Sequence, residues 1–230
     1  MSTYAQGIRD WIIENGMVGA GPPAGYSGSP RKQYGIRAPE MRRYVKDWIK
    51  AHPDLGYREW TDMLDALYGG DSLDERIVAG IFFSQCHEFR RRLPFKHFEF
   101  WSNHLEGWAV VDSTCQSSFR PKDLFLQWDE WQAFLQMLVL DNNINKRRAS
   151  IVILVKPLRD SDDTRLLELA LKNVLKLAPE KDRLITKAVS WVLRAATKHH
   201  RVAIAEFLDE NEGILPAIAL RETRKKLETQ

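Results

Sequence analysis

Apolar residues recur at helical spacing along nearly the whole chain, and this pattern limits the possible folds more than any other feature. In residues 3–15, Tyr4, Ile8, Trp11 and Ile12 share one stripe, as in an amphipathic helix. The same periodicity predicts helices from about residue 38 and over 57–68, 73–86, 95–104, 108–118, 128–139, 144–156, 162–178, 181–197, 200–210 and 216–228. No segment alternates β-branched residues with a period of two, so the sequence predicts an all-α protein without a sheet.

Glycine and proline divide the helical pattern into short pieces. Helix boundaries are predicted at Gly69-Gly70, Pro94, Gly107, Pro157, Pro179 and Gly213. Residues 16–33 contain five glycines and three prolines, which predicts one flexible segment. Helical hairpins of roughly 35–45 residues fit the HEAT repeat class, so we expect a single domain over 1–230, built as a curved solenoid of antiparallel helical pairs with a concave face that suits a duplex. Because no internal sequence repeat is visible, an irregular helical bundle is the alternative.

Composition excludes several classes of protein. Hydrophobic residues make up 44% and charged residues 28%, which is typical of a globular protein. No apolar run approaches the roughly 18–20 residues of a membrane span, and residues 1–13 lack the layout of a signal peptide. Cys86 and Cys115 cannot form a disulfide scaffold, so a reduced, cytoplasmic protein is expected, and Cys115 is interpreted as a buried structural thiol.

Motifs for metals, cofactors and common nucleophiles are absent from the sequence. The six histidines show no zinc-site spacing, and there is no HExxH, CxxC, P-loop, GxGxxG or GxSxG motif. We therefore expect neither a metal nor a cofactor. Nothing in the sequence requires more than a monomer.

The distribution of charge is more informative than its total. The net charge is only +3, but residues 143–230 hold 18 Lys/Arg against 12 Asp/Glu, and residues 1–142 carry a net −3. A basic C-terminal half points towards a polyanion. Ordinary variation between solvated helix faces explains the same numbers.

Trp108 and Asp112 are four residues apart and therefore share a helix face. An aromatic ring beside a carboxylate suits a site that stabilises positive charge. The alternative is a core tryptophan with an exposed or capping aspartate.

Two basic segments follow in the second half. Lys146, Arg147 and Arg148 open a helix, where they oppose the helix dipole, so an anion could be bound there; a solvated basic turn is the alternative. Lys187, Trp191 and Arg194 lie on one helix face opposite an apolar stripe of Val189, Val192 and Leu193. Cations around an aromatic ring suit a nucleic-acid surface, although a tryptophan in a helix–helix seam would look the same.

Four segments together resemble the AlkD-type DNA alkylation repair glycosylases. They are Tyr34-Gly-Ile-Arg37-Ala-Pro39-Glu40-Met-Arg42-Arg43, Trp108-x-x-x-Asp112, Arg147-Arg148-Ala149-x-Ile151 and Lys187-Ala188-x-x-Trp191-Val-Leu-Arg194. The resemblance covers roughly residues 30–228. It implies a HEAT-like solenoid that binds duplex DNA containing alkylated bases and hydrolyses the N-glycosidic bond of cationic N3- or N7-alkylated purines, without a deep pocket for an everted base.

The resemblance also assigns residues. By position, Asp112 matches the catalytic carboxylate, Trp108 and Trp191 match the aromatic residues beside the lesion deoxyribose, and Arg148 matches an arginine that holds the backbone near the lesion. The predicted DNA contacts are Arg147, Lys187, Arg194, Arg37 and Arg221. The family often has a second aromatic beside the first tryptophan, where this chain has Gly107 and Ala109. Two other functions stay open: a non-catalytic binder of damaged or branched DNA, and a protein-interaction scaffold.

Overall fold

The computed structural model describes residues 2–116 and 118–229, and within these ranges it contains fifteen helices and no strand. The prediction of an all-α protein is therefore confirmed. None of the helices in the described ranges is both long and apolar enough to span a bilayer. In chain order the helices are α1 Thr3–Asn15, α2 Ala24–Ser27, α3 Ala38–Ala51, α4 Tyr57–Tyr68, α5 Leu73–Gln85, α6 His87–Arg92, α7 Phe95–Ser102, α8 Gly107–Cys115, α9 Pro121–Phe125, α10 Trp128–Leu138, α11 Ile144–Asp160, α12 Thr164–Leu177, α13 Arg183–Ala196, α14 Arg201–Glu210 and α15 Ala217–Glu228.

The chain divides into two compact units, Met1–Thr114 and Cys115–Gln230. The first unit has an aromatic core in which Trp60, Tyr68 and Trp101 are fully buried. Asp65 lies at its edge and accepts hydrogen bonds from the Trp101 indole N–H at 2.6 Å and from the His97 ring at 2.9 Å. These bonds join α4 to α7. The single domain over residues 1–230 stays a prediction.

The second unit is built around α11, which packs mainly against α12 and α13. Its apolar run, residues 151–155, is completely buried, and α13 packs on α15 in turn. Val189, Val192 and Leu193 are buried on α13 as the sequence predicts. The opposite face of α13 therefore remains for other contacts.

Most predicted helices are found within a few residues of their predicted ends, but the predicted break at Pro157 is wrong. Helix α11 continues through this buried proline to Asp160. Proline removes only one N–H donor, and in the last turn the loss is small compared with the packing of the helix. An ion pair of 2.7 Å between Lys156 and Asp160 also spans the turn. The short helices α2, α6 and α9 were not predicted.

The Gly/Pro-rich segment 16–33 folds back on the residues that follow it. The backbone N–H of Met17 donates to the Tyr34 carbonyl and that of Gly19 donates to the Gln33 carbonyl, both at 2.8 Å. Helix α2 lies inside the segment, and the side chains of Ser27 and Ser29 are buried. The predicted flexibility of the segment stays a prediction.

Two carboxylates attach this part of the chain to the helices of the first unit. Glu106 accepts hydrogen bonds from the Ser29 hydroxyl at 2.8 Å, from Arg31 at 2.6 Å and from Arg76 at 3.2 Å. Asp74, which is 3% exposed, accepts the backbone N–H groups of residues 34 and 36 at 2.8 and 3.4 Å. These contacts hold the C-terminal end of the segment and the residues that follow it.

Gly107 begins α8 where Ser27 and Ser29 of this segment lie close to the helix. Its φ is +75°, and an added Cβ would lie 2.7 Å from the Ser27 carbonyl oxygen and 3.3 Å from the Ser29 Cβ. A side chain at this position would both strain the backbone and displace the segment. The glycine is therefore required by the close approach of two parts of the chain.

We predict that Gly107→Ala lowers the free energy of unfolding by about 1–3 kcal/mol, because alanine is strained at positive φ and contacts Ser27. The matched control is Gly7→Ala in α1, where an added Cβ meets nothing within 4 Å. That change should raise stability by about 0.5–1 kcal/mol, since alanine is the better helix former. Chemical denaturation of both variants measures the difference. If Gly107→Ala and Gly7→Ala had equal free energies of unfolding, the close approach of Ser27 to α8 would be contradicted.

Candidate active site

Trp108 and Asp112 lie one turn apart on α8, are both half-buried, and line the same cavity of about 320 Å³ in the first unit. Val110, Val111 and Cys115 point into the core and are completely buried. The helix therefore turns its apolar side inward and its aromatic–carboxylate pair towards the cavity. The interpretation of Cys115 as a buried thiol is confirmed.

The cavity lies between segment 16–36 and the helices α3, α5 and α8. Its lining includes the exposed residues Arg37 and Arg42 and the buried residues Leu73 and Asp74. Its remaining lining is Ala20, Gly21, Pro22, Ser27, Gln33, Gly35, Ile36, Ala38, Met41, Ile77, Ile81, Ala109 and Ser113.

Tyr26 is a site residue that sequence reasoning missed. The Trp108 indole N–H donates to the Tyr26 carbonyl at 3.0 Å, and the two rings meet edge to face at 5.9 Å. Tyr26 is 47% exposed, so its ring is accessible. It provides an aromatic neighbour for Trp108, which Gly107 and Ala109 cannot. No local pattern could reveal this pairing, because the residues are 82 positions apart.

Asp74 brings a second carboxylate to the cavity. Burial raises the pKa of the Asp74 carboxyl above its ordinary value, and the neighbouring Glu75 acts in the same direction. The hydrogen bonds from the backbone of Tyr34 and Ile36 oppose this rise. The cavity therefore has acidic groups on two of its walls, Asp74 on α5 and Asp112 on α8.

In the second unit, the two arginines at the start of α11 contact other parts of the protein. Arg147 binds Glu180 through two parallel hydrogen bonds of 2.8 and 3.0 Å and also donates to the carbonyls of Asp141 and Asn142. The bonds to Glu180 raise the pKa of Arg147. Arg148 is 5% exposed and donates to the Leu184 carbonyl at 2.6 Å. Both arginines thus connect the start of α11 to the region around α13.

The basic face of α13 is formed as predicted, but its members differ in exposure. Lys187 is exposed and Trp191 is half-buried. Arg194 lies 3.3 Å from Glu222, which also accepts the Ser190 hydroxyl at 2.6 Å. The Arg194 side chain remains 40% exposed, so it can still reach a ligand.

The nine predicted site residues are distributed over both units. Arg37, Trp108 and Asp112 line the cavity of the first unit. In the second unit, Arg221 is exposed over 74% of its side chain, 3.9 Å from a Glu222 oxygen. The other members there are Arg147, Arg148, Lys187, Trp191 and Arg194. No group of three or more potential metal ligands is found within residues 2–116 and 118–229.

Basic side chains clustered on one helix face are a feature of many nucleic-acid-binding proteins. Residues 22–227 match the family model described as DNA alkylation repair enzyme, and the chain belongs to that family. A solved structure described as a predicted DNA alkylation repair enzyme from Enterococcus faecalis is similar, with a TM-score of 0.67, 17% identity, and coverage of 96% of this chain and 93% of that chain.

A second similar structure is that of smu.31 from Streptococcus mutans UA159. Its TM-score is 0.56 and its identity 13%, with coverage of 80% of this chain and 98% of that chain. At such low identities both structures establish the shared fold alone. No curated protein matches the sequence.

We predict that Trp108→Phe loosens residues 22–30, because phenylalanine keeps a ring but leaves the Tyr26 carbonyl without its indole donor. A neutral hydrogen bond contributes about 1 kcal/mol, so amide exchange there should accelerate about fivefold. Hydrogen–deuterium exchange with mass spectrometry measures this. The control is Trp128→Phe in the second unit, which should leave the exchange of residues 22–30 unchanged. The same exchange rate in both variants would contradict the role of Trp108.

Proposed function

We propose that this member of the DNA alkylation repair enzyme family is a DNA glycosylase that hydrolyses the N-glycosidic bond of cationic N3- or N7-alkylated purines in duplex DNA. The observation that carries the proposal is the pairing of Trp108 and Asp112 on one wall of a half-buried cavity. Membership of the family already indicates that the protein acts in the repair of alkylation damage in DNA. The glycosylase reaction and the lesion class are the further steps proposed here.

The chemistry of the lesion fits a site with one carboxylate and aromatic walls. An N3- or N7-alkylated purine already carries positive charge, so it leaves readily and needs little help from a general acid. As the bond breaks, positive charge develops on the deoxyribose. Asp112 would stabilise that charge and orient the attacking water, an effect worth on the order of 10²–10³ in rate.

The aromatic residues would hold the sugar. A ring face attracts developing positive charge, so Trp108 and Trp191 are proposed to contact the deoxyribose of the lesion. Tyr26 fixes the indole of Trp108 and presents its own exposed ring beside it. No lysine lines the cavity among the described residues, which favours hydrolysis without a Schiff base and without strand cleavage.

The residues proposed to contact DNA differ in exposure and in their contacts within the protein. Lys187, Arg194, Arg37 and Arg221 are exposed or partly exposed and are proposed to contact phosphates. Arg147 already binds Glu180 and Arg148 already binds the Leu184 carbonyl. Either arginine would therefore contact the DNA backbone near the lesion in addition to its bond within the protein. We therefore expect part of the effect of removing either arginine to be a loss of stability.

We predict that Asp112→Asn reduces excision of 7-methylguanine by about 10²–10³ and leaves DNA affinity nearly unchanged, because the amide keeps the shape but not the charge. Released base is measured with methylated duplex DNA, and affinity with a lesion-containing oligonucleotide. The control is Asp47→Asn, which removes an exposed carboxylate on α3 and should leave excision intact.

Each outcome of this experiment separates the candidate functions. Full excision by Asp112→Asn would contradict the catalytic assignment. Tight binding of damaged or branched DNA by the wild-type protein without any base release would favour the non-catalytic binder. Absence of DNA binding altogether would favour a protein-interaction scaffold.

We predict that Lys187→Ala lowers the slope of log affinity for DNA against log salt by about 0.9, the value for one phosphate contact. Arg194→Ala should lower it similarly, since that side chain is 40% exposed beside Glu222. Lys176→Ala, which removes an exposed lysine on α12, is the control and should keep the wild-type slope. Unchanged slopes for both α13 variants would show that this helix face does not touch the backbone.

A further inference from the structure

Glu106 is the residue immediately before α8, the helix that carries Trp108 and Asp112. It is not among the described residues that line the cavity with these two side chains. Its carboxylate instead accepts hydrogen bonds from the Ser29 hydroxyl and from Arg31, both in the Gly/Pro-rich segment. We propose that Glu106 is a positioning residue of the glycosylase, which fixes the orientation of the Trp108 indole through this segment. This role rests on the proposed glycosylase function.

The carboxylate of Glu106 is held in place by Arg76 of α5. The Arg76 side chain is only 6% exposed and donates to Glu106 at 3.2 Å. It also donates to the carbonyl of Gly70 at 3.3 Å and to that of His104 at 3.1 Å. Burial lowers the pKa of Arg76, whereas the negative charge of Glu106 raises it. A buried guanidinium with three acceptors is a fixed point, and Glu106 connects the Gly/Pro-rich segment to it.

The end of α2 is bonded to Ser29, so the position of Ser29 also fixes Tyr26. The Ser27 hydroxyl donates to the Ser29 carbonyl at 3.0 Å and accepts the Ser29 N–H at 3.3 Å. Ser27 directly follows Tyr26 in the chain, and both serine side chains are buried. A shift of Ser29 therefore displaces the Tyr26 carbonyl.

The Tyr26 carbonyl selects one orientation of the Trp108 indole. The torsion that rotates the indole ring of a tryptophan about its bond to Cβ has broad energy minima, so it does not fix the ring by itself. The hydrogen bond from the indole N–H to the Tyr26 carbonyl, 3.0 Å long, does. The orientation matters because the face of an aromatic ring attracts positive charge, while its edge repels it. A rotated indole would present its edge to the deoxyribose and weaken the proposed stabilisation of developing charge.

Two contacts between two short pieces of chain define this geometry. Glu106 binds Ser29, and Trp108, two residues later, binds Tyr26. Gly107 lies between them, and a Cβ added there would lie 2.7 Å from a carbonyl oxygen of the segment. Two points of attachment fix an orientation, whereas one alone acts as a hinge. Loss of the Glu106 contact therefore allows the Tyr26 carbonyl to move.

We predict that Glu106→Ala shifts the indole N–H signal of Trp108 in NMR spectra of the protein without DNA, because the Tyr26 carbonyl no longer has a fixed position. Amide exchange in residues 24–30 should accelerate by a factor of about five, the effect of one lost hydrogen bond. Trp108→Phe assigns the signal by removing it. The control is Glu88→Ala, which removes an exposed carboxylate on α6 and should change neither quantity. An unchanged indole signal in Glu106→Ala would overturn the proposal.

A double-mutant cycle tests the effect on the reaction. Release of 7-methylguanine from duplex DNA is measured in a single turnover with saturating protein, so that the rate constant does not depend on the folded fraction. Glu106→Ala should lower this rate constant about fivefold in the wild-type background. In the Trp108→Phe background it should lower the rate constant less than about twofold, because the indole donor is already absent. Equal factors in both backgrounds would overturn the proposal, since Glu106 would then not act through Trp108.

A second variant keeps the test decisive if Glu106→Ala does not fold. Glu106→Gln keeps the shape and can still accept hydrogen bonds, but it lacks the charge that attracts Arg31 and Arg76. It should shift the indole signal by a smaller amount and lower the rate constant by a smaller factor. If only Glu106→Gln folds, a wild-type signal and a wild-type rate constant in that variant would overturn the proposal.

The positioning role and the glycosylase function can fail separately. Base release by the wild-type protein with the same rate constant in Glu106→Ala would overturn the positioning role and leave the glycosylase intact. Absence of base release by the wild-type protein would overturn the glycosylase, and the indole signal alone would then show whether Glu106 orients Trp108.

Discussion

Glu106 accepts three hydrogen bonds from Ser29, Arg31 and Arg76, and the position of the Gly/Pro-rich segment depends on this cluster. Hydrogen bonds to a charged group contribute about 1.5–3 kcal/mol each, enough to order a loop that has little apolar surface of its own. Asp74 holds the following residues by their backbone N–H groups. The wall of the cavity and the orientation of Trp108 therefore follow from two carboxylates that take no part in the proposed chemistry at the sugar.

Much of the helical fold could be predicted from the sequence because each long helix carries its own periodicity and end signals. Asp163 and Asp182, for example, cap α12 and α13 by accepting backbone N–H groups, and α4 begins and ends at its predicted residues. The prediction of a helix end at Pro157 is wrong because proline usually ends a helix, whereas the packing of α11 in the second unit outweighs one lost hydrogen bond. Helices as short as α2 contain too few residues to show a period.

The candidate site was predictable only where its members are neighbours in sequence. The four-residue spacing of Trp108 and Asp112 places both on one side of α8, and that side lines the cavity. Asp74 lines the same cavity from α5, and the Tyr26 carbonyl accepts the indole N–H of Trp108 across 82 positions of the chain. The sequence shows the segment that contains Tyr26 only as a cluster of glycines and prolines. Gly35 and Gly107, which lie outside that segment, adopt positive φ where two parts of the chain pack closely.

The three cations that begin α11 oppose the helix dipole, which suggested a bound anion. In the structure their contacts lie within the protein: Lys146 with Asp141, Arg147 with Glu180, and Arg148 with the Leu184 carbonyl. Internal acceptors therefore offset the cost that the dipole imposes. The proposed long-range attraction for DNA then rests on exposed side chains such as Lys187 and Arg221. Few such contacts would give a modest, salt-dependent affinity, so the proposed discrimination of a damaged base rests on short-range contacts such as those of Trp108 and Asp112.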